Sequence, residues 1–276
     1  MMELPVAGYF ETPFDIQIPD HPHGHQVRIW LPPSYHHSTE SYPVLWVMDN
    51  LLEHAVSAVT GSHFTEAPEL IVVAVGAPLG LTSGEYGARR IYDFMPTREL
   101  LTWDDEVFES GVIIGGAEAF LRYLTGPLRA QVAERYRTSG DHGLAGHSGG
   151  GMFALYSLFA AYGAFDRYLI GSPARGIDVE RLEQLHFDQH GDFDARLFLA
   201  AGGGELLTPN SAHTRTLSTL TSFVERLLGR GYESLDLHAT IYPGCTHSSV
   251  MGPLFFDGLR WLWRDAAKVK LTTGGD

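Results

Sequence analysis

Two continuous apolar segments constrain the fold of this chain more than any other feature of its sequence. Residues 43–48 (PVLWVM) and 70–75 (LIVVAV) contain no charged residue and are rich in β-branched side chains. Strands of this kind are typical of a parallel sheet that is covered on both faces. Residues 14–18 alternate between apolar and polar side chains, which indicates an edge strand.

Helix-like segments separate the predicted strands. Further strands are predicted at residues 26–31, 142–147, 167–171, 196–201 and 235–242, and helices at residues 117–136, 150–162, 214–228 and 250–267. Strands that alternate with helices form βαβ units, in which the helices cross over between parallel strands. We therefore expect an α/β fold that binds ligands at the carboxyl ends of its strands.

Charge and composition exclude several classes of protein. The chain has 19 Lys and Arg against 33 Asp and Glu, a net charge of −14, so binding to nucleic acid or to an anionic membrane surface is not expected. Cys245 is the single cysteine, which excludes an intramolecular disulfide and a cysteine-based zinc site. No signal-peptide pattern begins the chain, and its longest apolar stretch, residues 70–81, is too short to span a membrane. We expect a soluble, cytoplasmic protein.

The least regular part of the sequence is the segment 76–116, which contains seven glycines. An irregular stretch of this length is more often a functional lid than an ordinary connection. No linker or shift in composition marks a domain boundary. We therefore expect a single domain over residues 1–276, with a lid or elaborated loop at residues 76–116.

A motif for nucleophilic catalysis lies between a predicted strand and a predicted helix. Residues 146–150 read Gly-His-Ser-Gly-Gly, which fits the G-x-S-x-G nucleophile elbow in the context that this motif requires. The turn exposes a serine at the end of a strand, and glycines on either side allow strand and helix to approach closely. Ser148 is therefore the predicted nucleophile, and an ordinary glycine-rich turn is the alternative.

A serine nucleophile needs a base and an orienting carboxylate, which follow it in this order: serine, acid, histidine. His247 comes directly after the last predicted strand, so it is the predicted base, with a structural histidine as the alternative. Glu205 follows the strand at residues 196–201 and is the predicted acid. Asp178, after the preceding strand, is the second candidate for the acid.

Backbone N–H groups near the serine are expected to bind an oxyanion. The N–H of Gly149 is one predicted donor, because it follows the nucleophile directly. The second donor is expected in the loop after residues 43–48, from Asn50 or Leu51.

Six segments of the chain resemble one family of esterases. They are residues 42–49 (YPVLWVMD), 93–97 (DFMPT), 115–124 (GGAEAFLRYL), 144–155 (LAGHSGGGMFAL), 171–173 (GSP) and 246–250 (THSSV). In this order they resemble the family that includes esterase D and, more closely, the bacterial ferric-siderophore trilactone esterases. The resemblance implies an α/β-hydrolase fold with a mostly parallel central sheet flanked by helices. It also implies that Ser148, Glu205 and His247 occupy the triad positions.

Two arginines are candidates for binding the substrate. Arg175 stands in the block at residues 172–177, where the family has two tryptophans and this chain has none. Arg90 lies in the predicted lid, where a guanidinium can pair with a carboxylate of the substrate or, alternatively, form an internal salt bridge.

His21, His23 and His25 form a His-x-His-x-His run. Such a run can bind a transition metal, but Pro22 and Gly24 favour a solvated loop. No metal site and no cofactor are therefore expected.

The predicted function is that of a serine hydrolase. The substrate is expected to be a small-molecule carboxylic ester, thioester or lactone, and a siderophore ester is the one that the resemblance implies. Two alternatives stay open: an acyltransferase that uses the same acyl-enzyme, and a non-catalytic ligand-binding module on the same fold.

Overall fold

A nine-stranded sheet forms the centre of the computed structural model, which describes residues 8–49, 51–61, 69–173, 175–208 and 215–265. The strands in that part of the chain are Tyr9–Phe10 (β1), Phe14–Gln17 (β2), Gly24–Leu31 (β3), Tyr42–Met48 (β4), Ile71–Gly76 (β5), Thr138–His147 (β6), Arg167–Gly171 (β7), Ala195–Gly202 (β8) and Leu235–Tyr242 (β9). Their order is β1-β3-β5-β4-β6-β7-β8-β9, and β2 also pairs with β3.

The sheet is mixed, and most of it is parallel. The first three strands form an antiparallel edge, and β3 pairs antiparallel with β5. All pairs from β5 through β4, β6, β7 and β8 to β9 are parallel. The predicted α/β fold with a mostly parallel sheet is confirmed.

Helices cover both faces of the sheet. In the described ranges they are Leu52–Gly61 (α1), Ser83–Phe94 (α2), Asp105–Glu109 (α3), Ala117–Tyr123 (α4), Arg129–Arg135 (α5), Gly149–Ala160 (α6), Val179–His190 (α7), Thr216–Arg230 (α8) and Met251–Leu262 (α9). None of these described helices has the length and apolar character that crossing a membrane requires.

The continuous apolar strands contribute side chains to two separate cores. In β4, Leu45 and Val47 belong to the core that includes side chains of α1 and α9, whereas Trp46 belongs to the core on the opposite face, which includes side chains of α4, α6, α7 and α8. Successive side chains of a strand point to opposite faces. A strand with helices on both sides therefore has no position where a polar residue would reach water, which explains the absence of alternation in its sequence.

Every predicted strand is present, but the helices differ in several places. Residues 117–136 contain a π-helical turn, Leu124–Leu128, between α4 and α5, because Pro127 has no N–H to donate within an α-helix. The helices α1, α2, α3 and α7 were not predicted. The predicted helices at 214–228 and 250–267 each extend at one end outside the described residues.

The segment 76–116 contains more regular structure than its sequence indicated. It includes α2, whose first turn is closed by a capping box in which Thr82 and Glu85 bond to each other's backbone N–H. Gly84 and Gly87 interrupt the apolar pattern of this helix, which is why periodicity did not reveal it. The assignment of this segment as a lid stays a prediction.

Strand β6 and helix α6 approach closely at two glycines. A Cβ atom added to Gly146 would lie 2.0 Å from the carbonyl oxygen of Gly150, far inside van der Waals contact. That neighbour is backbone, so relief would require the strand or the helix to move. The close approach therefore depends on glycine at position 146.

We predict that Gly146→Ala lowers the free energy of unfolding by about 1–3 kcal/mol, the range for overpacking. The matched control is Gly87→Ala, since a Cβ at Gly87 in α2 meets no atom within 4 Å. In a helix interior this change should raise the free energy of unfolding by roughly 0.5–1 kcal/mol. Equilibrium denaturation by urea measures both effects, and equal values for the two variants would contradict the packing argument.

Candidate active site

Ser148 lies at the turn between β6 and α6 in a backbone conformation that L-residues rarely adopt. Its φ is 58° and its ψ is −118°. Its N–H donates to the carbonyl oxygen of Gly171, at the end of β7, over 2.9 Å. A non-glycine residue held at positive φ costs about 1–3 kcal/mol, and such strain is concentrated at functional sites. This is the geometry of a nucleophile elbow.

The predicted acid and the predicted base are in direct contact. Glu205 lies in the 3₁₀ turn Gly203–Leu207, directly after β8, and His247 follows β9. The His247 Nδ1 atom lies 2.8 Å from Glu205 Oε2. The Glu205 side chain is buried, whereas 41% of the His247 side chain is exposed. An Nδ1–H group that donates to the carboxylate leaves Nε2 of a neutral imidazole with its lone pair.

The other oxygen of Glu205 is also occupied. Oε1 accepts hydrogen bonds from the Ser172 hydroxyl over 2.6 Å and from the Gly202 N–H over 2.9 Å. Burial by itself would raise the pKa of Glu205, but the hydrogen bonds from His247, Ser172 and Gly202 lower it to about 2. The carboxylate is therefore ionised at neutral pH, where it orients His247 and would stabilise its protonated form.

Sequence reasoning missed the role of Ser172. This residue follows β7 directly and has a positive φ of 42°. Its position after a parallel strand is the signal that could have identified it, because the carboxyl ends of such strands meet at one edge of the sheet.

His147 connects the elbow with the predicted base. Its ring packs against the ring of His247 with a centroid distance of 4.5 Å. Burial, together with the neighbouring His247 and Arg90, lowers the pKa of His147 to about 3. The His147 ring is therefore neutral at physiological pH, and it provides an uncharged surface against which the His247 ring packs. This contact places the residue that precedes Ser148 directly against the Glu205–His247 pair.

The predicted oxyanion donors are described in part. Gly149 is the first residue of α6, where helix N–H groups have no partner within the helix. Leu51 precedes α1 directly. Asn50 lies outside the described residues. The roles of these three residues stay predictions.

Arg90 forms an internal ion pair. Its Nε and Nη2 atoms donate to the two oxygens of Asp49 over 2.7 and 2.8 Å, and the Tyr86 hydroxyl donates to the same carboxylate over 3.0 Å. A Cβ atom on Gly149 would lie 3.2 Å from Arg90 Nη2. The absence of a side chain at Gly149 therefore leaves room for this guanidinium beside the elbow.

Arg175 is held by the segment 76–116. Its Nη2 donates to the Thr102 carbonyl oxygen over 2.8 Å. It lines a cavity of about 420 Å³ together with Arg215 and Arg226. Asp178, the second candidate for the catalytic acid, caps α7 by accepting from the Arg181 N–H over 3.0 Å. The substrate-binding roles of Arg90 and Arg175 stay predictions.

Solved structures share this fold over nearly the whole chain. The siderophore hydrolase EstA from Aspergillus nidulans has a TM-score of 0.79 at 23% identity, covering 97% of this chain and 98% of its own. The BES protein from Bacillus cereus has a TM-score of 0.77 at 24% identity, covering 95% of this chain and 99% of its own. The fold is that of the α/β hydrolases, as the resemblance implied.

The chain belongs to the esterase family described as "Putative esterase", whose model matches residues 22–177. The siderophore enterobactin esterase from Emericella nidulans is 33% identical over 118 residues, which are 41% of this chain and 38% of that protein. The siderophore triacetylfusarinine C esterase from Aspergillus fumigatus is 32% identical over 142 residues, 48% of this chain and 44% of that protein. The chain spans less than half the length of these curated relatives. The predicted family is confirmed.

The depressed pKa of Glu205 predicts how stability depends on pH. Its pKa of about 2 lies below the ordinary value of 4.5, so the carboxylate stabilises the folded state above pH 4.5 and loses this effect as the pH falls towards 2. We expect the free energy of unfolding to fall between about pH 6 and pH 3 by about 2 kcal/mol more in the wild type than in Glu205→Gln.

Denaturant unfolding at several pH values measures this difference. Glu134→Gln is the control, because Glu134 is exposed on α5 and should leave the pH dependence of the wild type unchanged. If Glu205→Gln has the same pH dependence as the wild type, the buried hydrogen bonds to Glu205 do not stabilise its ionised form.

Proposed function

We propose that this protein is a serine hydrolase that cleaves a carboxylic ester, thioester or lactone through an acyl-enzyme on Ser148. One observation carries the proposal. The buried, ionised Glu205 lies 2.8 Å from Nδ1 of a half-exposed His247, at the same edge of the sheet as the strained turn that presents Ser148. Membership in an esterase family supports the same chemistry.

In the proposed reaction, His247 is the general base and Glu205 its orienting partner. Nε2 of His247 removes the proton from the Ser148 hydroxyl while the serine oxygen attacks the carbonyl carbon of the ester. The protonated imidazole then donates its proton to the leaving alcohol, or thiol, and the acyl group stays on Ser148. Water that has lost a proton to His247 attacks the acyl-enzyme and releases the acid.

Backbone N–H groups stabilise the negative charge that develops on the carbonyl oxygen. We assign one donor to Gly149 at the start of α6 and the other to Asn50 or Leu51 after β4. Asp49 supports this arrangement, because its ion pair with Arg90 fixes the start of the loop that follows β4. Donors that are held in place before the reaction need no reorganisation during it.

The segment 76–116 is proposed as a cover over this edge of the sheet, within a single domain. Its Leu101 forms a β-bridge with Ile177, and the Thr102 N–H donates to the Gly176 carbonyl oxygen over 2.9 Å. These contacts join the segment to the loop after β7, which also carries Ser172 and Arg175. A cover at this position would limit the access of water to the acyl-enzyme.

We propose a siderophore-type ester as the substrate, since the curated relatives are named for enterobactin and for triacetylfusarinine C. The cavity beside Arg175 has a lining of both charges, because Asp178 and Glu180 accompany its arginines and Arg226 is paired with Glu183. We also propose a cytoplasmic location, on the basis of the sequence alone.

We predict that Ser148→Ala lowers kcat for a p-nitrophenyl ester roughly 10⁴-fold or more, as loss of the nucleophile does in other serine hydrolases. The variant should keep the wild-type melting temperature within a few degrees. Ser57→Ala is the control, because Ser57 is exposed on α1, outside the segment 76–116, and it should keep the wild-type rate. A Ser148→Ala variant with wild-type turnover would exclude the acyl-enzyme.

A fluorophosphonate probe is expected to modify Ser148, as read from the labelled peptide by mass spectrometry. His247→Ala should slow the labelling by orders of magnitude, because the hydroxyl loses its base. His37→Ala is the matched control, since His37 is exposed and lies in the 3₁₀ turn Tyr35–His37. A folded wild-type protein that is not labelled would instead favour a non-catalytic binding module.

The substrate class is tested separately from the chemistry. We expect hydrolysis of enterobactin or triacetylfusarinine C, measured by chromatography of the products, with a kcat/KM well above that for a simple p-nitrophenyl ester. Simple-ester hydrolysis without cleavage of either siderophore would overturn the substrate and leave the serine mechanism standing.

A further inference from the structure

Two histidines and one aspartate, all of them buried, meet at the end of α2, outside the proposed active site. His21 lies in the turn before β3, His25 lies in β3, and Asp93 is the penultimate residue of α2. The exposed fractions of their side chains are 0%, 0% and 5%. Polar groups that are buried to this degree are costly unless each finds a partner.

The polar atoms of this cluster point at one another. His25 Nε2 lies 2.9 Å from Asp93 Oδ2, and His21 Nε2 lies 3.2 Å from Asp93 Oδ1. One ligand atom from each of the three residues lies within 4.8 Å of the others. Two ring nitrogens therefore face the two oxygens of one carboxylate.

Hydrogen bonds satisfy only part of this cluster, since His25 Nε2 bonds to Asp93 Oδ2. Nε2 of His21 and Oδ1 of Asp93 have no hydrogen-bond partner although they are 3.2 Å apart, and Nδ1 of His25 has none either. At this distance the lack of a hydrogen bond means that the angle is unsuitable. Two ligands of one ion have this relation, because both lone pairs point at the ion and not at each other.

The other ring nitrogen of His21 has two partners on the backbone of His23. His21 Nδ1 lies 3.2 Å from the His23 carbonyl oxygen, to which it donates in the tautomer that leaves Nε2 free, and 3.3 Å from the His23 N–H, from which it accepts in the other tautomer. A metal-bound histidine usually donates its second ring N–H to a carbonyl or carboxylate oxygen, which fixes the ring and leaves the first nitrogen free to bind the ion.

We propose that His21, His25 and Asp93 form a binding site for one divalent transition-metal ion, with Zn²⁺ as the best match. The two ring nitrogens and both oxygens of Asp93 would supply the four ligand atoms of the ion. Zn²⁺ binds imidazole and carboxylate ligands at about 2.0–2.2 Å in a tetrahedral arrangement, which sets neighbouring ligands roughly 3.3 Å apart. The contacts of 2.9 and 3.2 Å are close to this spacing, whereas separations of up to 4.8 Å within the cluster require the ligand atoms to move closer together when an ion binds. Hard ions such as Mg²⁺ prefer a shell made of oxygen atoms.

The surroundings of the site indicate a structural ion. The ring of Tyr92 lies 4.8 Å from that of His21, and the ring of Phe120 lies 5.0 Å from that of His25. These aromatic rings shield the cluster from water and leave no space for a substrate beside a bound ion. The ion would instead fasten α2 to the beginning of β3.

This fastening would reach the proposed active site through α2. The same helix carries Tyr86 and Arg90, which hold the carboxylate of Asp49 beside the elbow. An ion at Asp93 would fix the end of the helix one turn beyond Arg90. We therefore expect bound Zn²⁺ to raise the melting temperature of the protein by several degrees, without taking part in the reaction.

The test uses protein from which every affinity tag has been removed, because polyhistidine binds the same ions. The protein is stripped with a chelator and titrated with ZnCl₂ against a chromogenic chelator, and bound zinc is measured by mass spectrometry. We expect about one Zn²⁺ per wild-type chain. His21→Gln and Asp93→Asn should each weaken binding by about 10–100-fold or more.

The chain has 14 histidines, so a control for binding to surface histidines is needed. His36 and His37 are adjacent and exposed, and the double variant His36→Gln/His37→Gln should bind like the wild type. Zinc that persists in His21→Gln and Asp93→Asn, or that is lost in the double variant, would overturn the proposal. A wild type that binds no stoichiometric zinc would also overturn the proposal and would mean that hydrogen bonds alone hold the three side chains together.

A measurement on the wild-type protein alone tests the site even if the variants fail to fold. Co²⁺ in a four-coordinate site absorbs visible light much more strongly than the hydrated ion does. Intense bands that saturate at one equivalent of Co²⁺ and disappear with excess Zn²⁺ would support the site. The weak spectrum of hydrated Co²⁺ throughout the titration would overturn it.

Discussion

The arrangement of the carboxyl ends of β7, β8 and β9 depends on the hydrogen bonds that the carboxylate of Glu205 accepts. This carboxylate receives hydrogen bonds from Ser172 after β7, from Gly202 at the end of β8 and from His247 after β9. One buried anion therefore joins the carboxyl ends of three adjacent strands. Because the strands are parallel and in register, their ends meet where a single carboxylate can reach all three. Each hydrogen bond to a buried charge contributes roughly 1.5–3 kcal/mol.

A second buried carboxylate performs the same task on the other side of the elbow. Asp49, at the end of β4, accepts from Tyr86 and Arg90 of α2. Here the anion joins a strand end to the segment 76–116, and the absence of a side chain at Gly149 leaves room for the guanidinium. Ser148 directly follows β6, which lies between these two anchored regions because it is flanked by β4 and β7.

The sequence predicted the parts of this structure that depend on burial and chain order. Because residues 43–48 contain no polar residue, they were predicted to form a strand with helices on both faces. Glu205 and His247 follow strands in the order that the fold requires. Ser172 was missed because its role depends on a contact with a residue 33 positions away. Helix α2 was missed because Thr82 and Glu85, not an apolar stripe, define its start. Local patterns carry no information about such partners.

Comparison of the two histidine–carboxylate clusters explains why only one of them suits catalysis. Glu205 and Asp93 are equally buried, and hydrogen bonds from histidine help to lower the pKa of each carboxyl group against the effect of burial. Their histidines differ: 41% of the His247 side chain is exposed, whereas His21 and His25 are fully buried. A base must exchange protons with substrate and water in every cycle, and only His247 has that access. The enclosed cluster instead suits a ligand that stays bound.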